Sequence, residues 1–349
     1  MRVLARAFAL MGRERDGMRQ PRSDQARGIA LLLAAILGFT LMDATAKHLT
    51  QSYHPVQVIW MRFVGNLLIF ALIFRHKMIP LMRTRQPGMQ LGRALMQLGS
   101  VGFFFTSLQY IGLAEATAIM DLNPVLITLG AALFLGERIG PRRVAGIAAA
   151  LIGALIIIRP GLGVFQPAAL LPLAGAFTYA AGALLTRIVR SDSVATSVMW
   201  SAVVGTTITS MIVPFFWQPI ASGDIWAFVL LGIFGTASQY LLVRAFSAAE
   251  AGVLAPFGYT GLIWAGIWGW LFFGQLPDNW TITGAAIIVT AGLYVWSREA
   301  RVAKEACFPT TSHRSPTAWE MRPSWRSWAS PASCPMNAES RQSDGSFPM

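Results

Sequence analysis

The chain has 349 residues, 54% of them hydrophobic and 13% charged, with a mean hydropathy of +0.52. So little polar surface excludes an ordinary water-soluble globule and makes the bilayer the expected solvent. The net charge of +12 falls in short basic clusters between apolar runs rather than in a stripe, which excludes a nucleic-acid partner and reads as topology information.

Residues 1–27 form a basic tail that contains Arg13, Arg15, Arg19, Arg22 and Arg27. Its apolar core is too short for a secretory signal and no small-residue cleavage site follows it, with Met18 as an alternative start to Met1. A membrane-crossing helix needs roughly 20 apolar residues. The sequence predicts ten, near 28–49, 56–75, 92–113, 116–135, 143–159, 168–189, 194–217, 225–246, 250–273 and 281–297. Connections as short as "LAEAT" predict antiparallel neighbours in a closed all-α bundle.

Lys and Arg set the orientation, because cytoplasmic loops carry an excess of them. They crowd the N-terminal tail and the even-numbered connections: Arg75, Lys77, Arg83, Arg85 and Arg93; then Arg138, Arg142 and Arg143; then Arg187 and Arg190. Arg298, Arg301 and Lys304 follow the last helix, while the odd-numbered connections offer little beyond Lys47 and Arg159. Both termini are expected in the cytoplasm, with Trp217, Trp226 and Trp280 in the outer aromatic belt. Residues 299–349 read as a disordered cytoplasmic tail, rich in Ser and Pro and including Trp319, Trp325 and Trp328. Cys307 and Cys334 both lie there, without a CxxC or Cys/His neighbourhood, so neither a metal nor a cofactor is expected.

An internal repeat crosses the chain. "FLGERIGPRRVAG" at 134–146 superposes without a gap on "FFGQLPDNWTITG" at 272–284, and the same shift of 138 lays "GFT" at 38–40 over "AFT" at 176–178. The expected units are 28–160 and 161–298. Five helices are an odd number, so the second unit must be inverted relative to the first, an arrangement that suits alternating access about a midplane site.

These features resemble the drug/metabolite transporter superfamily, in its ten-helix form with two EamA-type repeats. The resemblance rests on the helix count, the G-E-x8-G turn from Gly136 to Gly146 with a degraded copy that has Gln275 in place of Glu137, Arg62 in "VIWMRFVGNLL", and "AEATAIMDLNPV". It implies transport of small organic solutes across the bacterial inner membrane, by a monomer or homodimer.

Three charges are expected at one depth in the outer half: Asp43, Arg62 and Asp121. A charge in hydrocarbon is costly and seeks a partner or a cavity. Asp43 and Arg62 are the expected pair, either as a latch between the first two helices with Lys47 snorkelling outward, or as part of a cavity in which Arg62 or Lys47 attracts an acidic group. Asp121 precedes Asn123 and Pro124, where the missing proline N–H loosens the helix. Asp121 is read either as a proton carrier or as a partner of Gln109 or Ser107. The repeat places Ala181, Trp200 and Tyr259 opposite Asp43, Arg62 and Asp121, so an aromatic inner half is expected, with Tyr179, Trp200, Tyr259 and Trp264 either facing lipid or the core, or available to stack on a planar or apolar substrate. No HExxH, GxSxG or ATP-binding motif occurs, which argues against an enzyme or a primary pump. The reading is a secondary transporter of a small metabolite, with proton coupling left open and a flippase for a lipid or polyprenyl-linked carrier as the rival.

Overall fold

The computed structural model describes residues 22–74, 82–135, 140–159, 167–188, 194–249 and 251–307. The described residues are helical, with no strand among them. In chain order the helices are α1 (Arg22–Ser52), α2 (Pro55–Phe74), α3 (Pro87–Ser107), α4 (Leu113–Met120), α5 (Asn123–Leu135), α6 (Pro141–Ile158), α7 (Leu170–Ile188), α8 (Val194–Ile212), α9 (Ile225–Ala248), α10 (Ala251–Gly258), α11 (Thr260–Phe273) and α12 (Asn279–Cys307). Among the described residues seven helical stretches are long and apolar enough to cross a membrane, and Val144–Ile158 is a shorter apolar helix. Proline opens α3 and α6, where its missing N–H costs nothing. The Asp278 carboxylate accepts the Thr281 N–H at 2.9 Å and so caps α12.

The shift of 138 now reaches the level of whole elements. It carries α2, α3, α4 and α5 onto α8, α9, α10 and α11 with ends that agree within three residues, and it matches the start of α6 to that of α12 and the end of α1 to that of α7. The halves also run in opposite senses. Tyr53 donates to Asp224 (2.7 Å), Lys47 to Ile111 O (2.6 Å), and Arg159 pairs with Asp278. One end of the bundle therefore gathers the close of α1, α3, α6 and α8 with the start of α2, α4, α9 and α12. Of the helices that end there, α3, α6 and α8 have repeat partners, α9, α12 and α2, that begin there. Packing follows the same two-fold logic: α1 lies along α9 while α7 lies along α3, and α6 packs on its own counterpart α12.

That last crossing brings two backbones together. A Cβ on Gly153 would come 2.8 Å from the Gly284 carbonyl, and one on Gly284 would come 2.5 Å from the Gly153 carbonyl. Only glycine allows so near an approach of two backbones.

Two crossings are interrupted where one continuous helix was expected. Between α4 and α5, Pro124 offers no N–H to the Met120 carbonyl, and the turn at 121–122 tightens to a Leu122 N to Ile119 O bond of 3.2 Å. Between α10 and α11 the chain turns at Tyr259, with Leu262 N bonded to Tyr259 O at 3.2 Å. No proline stands near Leu262. Pro256 inside α10 removes a donor instead. The first helix begins at Arg22, ahead of the expected 28, and the last runs to Cys307, past the expected 297. Met1, Met18, Glu137, Arg138 and the tail tryptophans lie outside the described residues.

Candidate functional site

The interior between the two halves collects polar groups on faces that are otherwise apolar. Thr40, Asp43 and Lys47 recur at helical spacing along one face of α1. Opposite them α11 presents a ladder of rings: Trp264 stacks on Trp268 (centroids 5.7 Å apart, planes at 17°) and Trp268 on Phe272 (5.5 Å, 17°). The Trp268 indole N–H donates to the Thr40 hydroxyl at 3.1 Å, so the ladder is pinned one turn from Asp43.

Asp43 and Arg62 sit close enough for their charges to interact. No ion pair within 4.0 Å joins them, so the direct pairing expected from the sequence does not close. The Arg62 guanidinium lies over the Phe105 ring at 5.1 Å, and its Nε is buried without a hydrogen-bond partner. One turn further along α2, Asn66 accepts a hydrogen bond from Thr236 of α9 at 2.9 Å.

The interruption at 121–122 holds a second polar group. Asp121 Oδ2 and Asn123 Oδ1 are both buried and both without a partner. Neither Gln109 nor Ser107 bonds Asp121: Gln109 Nε2 donates to Thr50 O at 2.8 Å, and the Ser107 hydroxyl donates to Phe104 O at 2.6 Å. The phenol of Tyr259, at the interruption of the other half, is within electrostatic reach of Asp121. It packs on α12 so closely that a side chain at Gly292 would overlap its oxygen.

Lys47 does not snorkel. It is 2% exposed, and its ammonium donates to the carbonyls of Leu108 (3.2 Å) and Ile111 (2.6 Å), with the Phe273 ring 5.5 Å away. The turn after α3 supplies these acceptors, which no local spacing in the sequence reveals. Trp200 stands at the opposite end of the bundle, its indole N–H donating to Met82 O at 3.1 Å. Tyr179 is half-exposed on α7. Trp217, Trp226 and Trp280 are exposed at the Lys47 end. The sequence reading missed Thr40, Asn66, Phe105, Thr236 and Trp268. Of these only Trp268 carried a signal, through the spacing of four from Trp264 and to Phe272.

Comparison with known proteins places this architecture. The EamA-like transporter family matches the chain twice, over residues 26–159 and 166–297, the two units of the repeat. A riboflavin transporter of Rhizobium johnstonii is 31% identical over 78% of this chain and 92% of its own length. A pseudopaline exporter of Pseudomonas aeruginosa is 30% identical over 76% and 94%. An S-adenosylmethionine uptake transporter of Rickettsia felis is 24% identical over 77% and 92%. A solved crystal structure shares the fold with a TM-score of 0.57 at 19% identity, covering 79% of this chain and 99% of that one. These relatives are named as small-molecule transporters and not as enzymes. The chain is a multi-pass membrane protein that belongs to the EamA-like transporter family.

Proposed function

We propose that this chain is a secondary transporter that carries a small organic metabolite across the bacterial inner membrane by alternating access, with ten crossings and both termini in the cytoplasm. One observation carries the reading: two halves of opposite direction enclose a charged and aromatic interior, and long-range polar contacts clasp the end at which Lys47 lies. Positive charge at the even-numbered connections assigns the clasped end to the outside. The cavity is lined by Asp43, Arg62, Asp121, Asn123, Tyr259 and Trp264, while Lys47, Gln109 and Trp200 are held by backbone carbonyls. Tyr179 takes a supporting place on α7.

The stacked indoles suit a planar heteroaromatic ring, and Asp43 with Arg62 suits a substrate that bears both donors and acceptors. Relatives named for riboflavin and S-adenosylmethionine fit that description, since both molecules contain a fused heteroaromatic ring. This favours a soluble metabolite over a lipid-linked carrier. Asp121 is the proposed proton carrier, as a buried carboxylate with a free acceptor oxygen at an interrupted helix. The test is counterflow and gradient-driven uptake in proteoliposomes, with riboflavin and S-adenosylmethionine in a wider metabolite panel and with or without an imposed pH gradient. Saturable counterflow of one panel member supports the reading. Flipping of a lipid probe without counterflow of any solute overturns it.

A further inference from the structure

The repeat predicts packing contacts in pairs, and most occur as pairs. α2 against α9 is answered by α8 against α3, α5 against α7 by α11 against α1, and α4 against α7 by α10 against α1. The largest exceptions lie at one end. α4 packs on α11, but among the described residues no comparable packing joins α10 to α5; α2 packs on α3, but α8 does not pack comparably on α9. Equivalent positions record the difference: Leu108 is 1% exposed, whereas its repeat partner Phe246 is 51% exposed.

At the closed end the contacts are polar and long-range. Lys47 spans from α1 to the Leu108 and Ile111 carbonyls, Gln109 returns a bond to Thr50 O, and Glu115 at the start of α4 lies near enough to feel the lysine charge. The shift of 138 replaces Lys47, Leu108 and Ile111 by Leu185, Phe246 and Ala249, which carry no charge. The two ends are thus built from the same backbone plan with different chemistry.

We propose that Lys47 is the latch of an outer gate, holding the chain closed at its own end, and that the apolar set around Leu185 and Phe246 closes the other end in the alternate state. This rests on the alternating-access reading. The latch releases when the ammonium leaves the two carbonyls, and Glu115 is the anion in reach to receive it. Leu185, Phe246 and Ala249 offer no charge to be held in this way, so the closed outer end is the resting state. Lys47 is a positioning residue here and touches no substrate.

The experiment uses reversible thiol cross-linking in the full chain with Cys307→Ser and Cys334→Ser. One reporter pair is Thr50→Cys with Gln109→Cys at the outer gate, and the other is Leu185→Cys with Phe246→Cys at the inner. With Lys47 present, the outer pair is expected to cross-link and the inner pair to stay free. Lys47→Met should slow the outer pair and speed the inner pair by roughly tenfold each, the scale of one lost charge-assisted hydrogen bond, while Lys47→Arg keeps the original pattern. Equal cross-linking of both pairs in the Lys47 protein overturns the proposal without recourse to any variant. So does a Lys47→Met protein in which both rates are unchanged or both fall. Counterflow measured on the same protein separates the two readings: its absence condemns transport, whereas counterflow with unchanged cross-linking condemns the latch alone.

Discussion

Asp121 and Tyr259 hold equivalent places in the two opposed halves, each at the interruption of a crossing, and the phenol lies within electrostatic reach of the carboxylate. One half thus offers a titratable anion at the point where the other offers an aromatic hydroxyl. A two-fold backbone with unlike side chains at equivalent positions presents different chemistry to its two faces.

Asp121→Asn preserves shape and removes the charge. If Asp121 carries the coupling proton, uptake driven by a pH gradient should be lost in proteoliposomes while solute counterflow persists. Accumulation at the level of the unaltered protein under the same gradient would remove Asp121 from the coupling step.

The α6–α12 crossing gives a stability prediction. Gly153→Val forces side-chain atoms into the Gly284 backbone, and overpacking of this kind costs about 1 to 3 kcal/mol, with more expected where backbone must move. The melting temperature in detergent should fall. Gly266→Ala is the control, because nothing lies within 4 Å of the added Cβ, and it should melt close to the unaltered protein.

The sequence made the repeat legible because its register is carried by end signals that survive divergence, such as Gly136 and Gly274. The interruption beside Pro124 was legible for a local reason, a missing donor. The interruption at Tyr259 was not, since the proline that weakens it stands three residues before the turn rather than after it. The fate of Lys47 was hidden for a different reason. At the end of an apolar helix a lysine reads as snorkelling, and only the tertiary approach of the 108–111 turn supplies carbonyls that hold it inside. The Asp43–Arg62 pairing shows the limit of depth arguments. Equal depth on neighbouring helices brought the charges near, but depth says nothing of the angle at which each side chain leaves its helix.

Arg93 joins α3 to α8. Its Nη2 donates to Ser197 O and to the Ser201 hydroxyl (3.0 Å), and its Nε donates to Gln90 Oε1 (3.1 Å). Bonds to a charged group contribute about 1.5 to 3 kcal/mol each. Arg93→Met should therefore lower the melting temperature, and Arg93→Lys should recover only part of it, because an ammonium cannot reproduce the planar fork. An unchanged melting temperature in Arg93→Met would show that α3 and α8 are held by apolar packing alone.

Asp43 and Arg62 decide between a latch and a cavity. A direct buried ion pair would make either residue costly to lose, by about 3 to 5 kcal/mol, because its partner would be left uncompensated. The observed geometry is different: no ion pair within 4.0 Å closes between them, and the guanidinium rests on Phe105 with Nε unpartnered. On the proposed reading, groups left this way are available to a solute. Asp43→Asn and Arg62→Gln are therefore expected to fold in normal yield, with fluorescence-detected size-exclusion profiles like that of the unaltered protein. Each should change the apparent affinity for the transported solute by roughly tenfold, the weight of one charge-assisted hydrogen bond. The charge exchange, Asp43→Arg with Arg62→Asp, should leave transport impaired, since a substrate oriented by the two charges would meet them reversed. Recovery of transport in the exchanged protein, after loss of folded yield in both single variants, would establish the latch and remove both residues from the cavity.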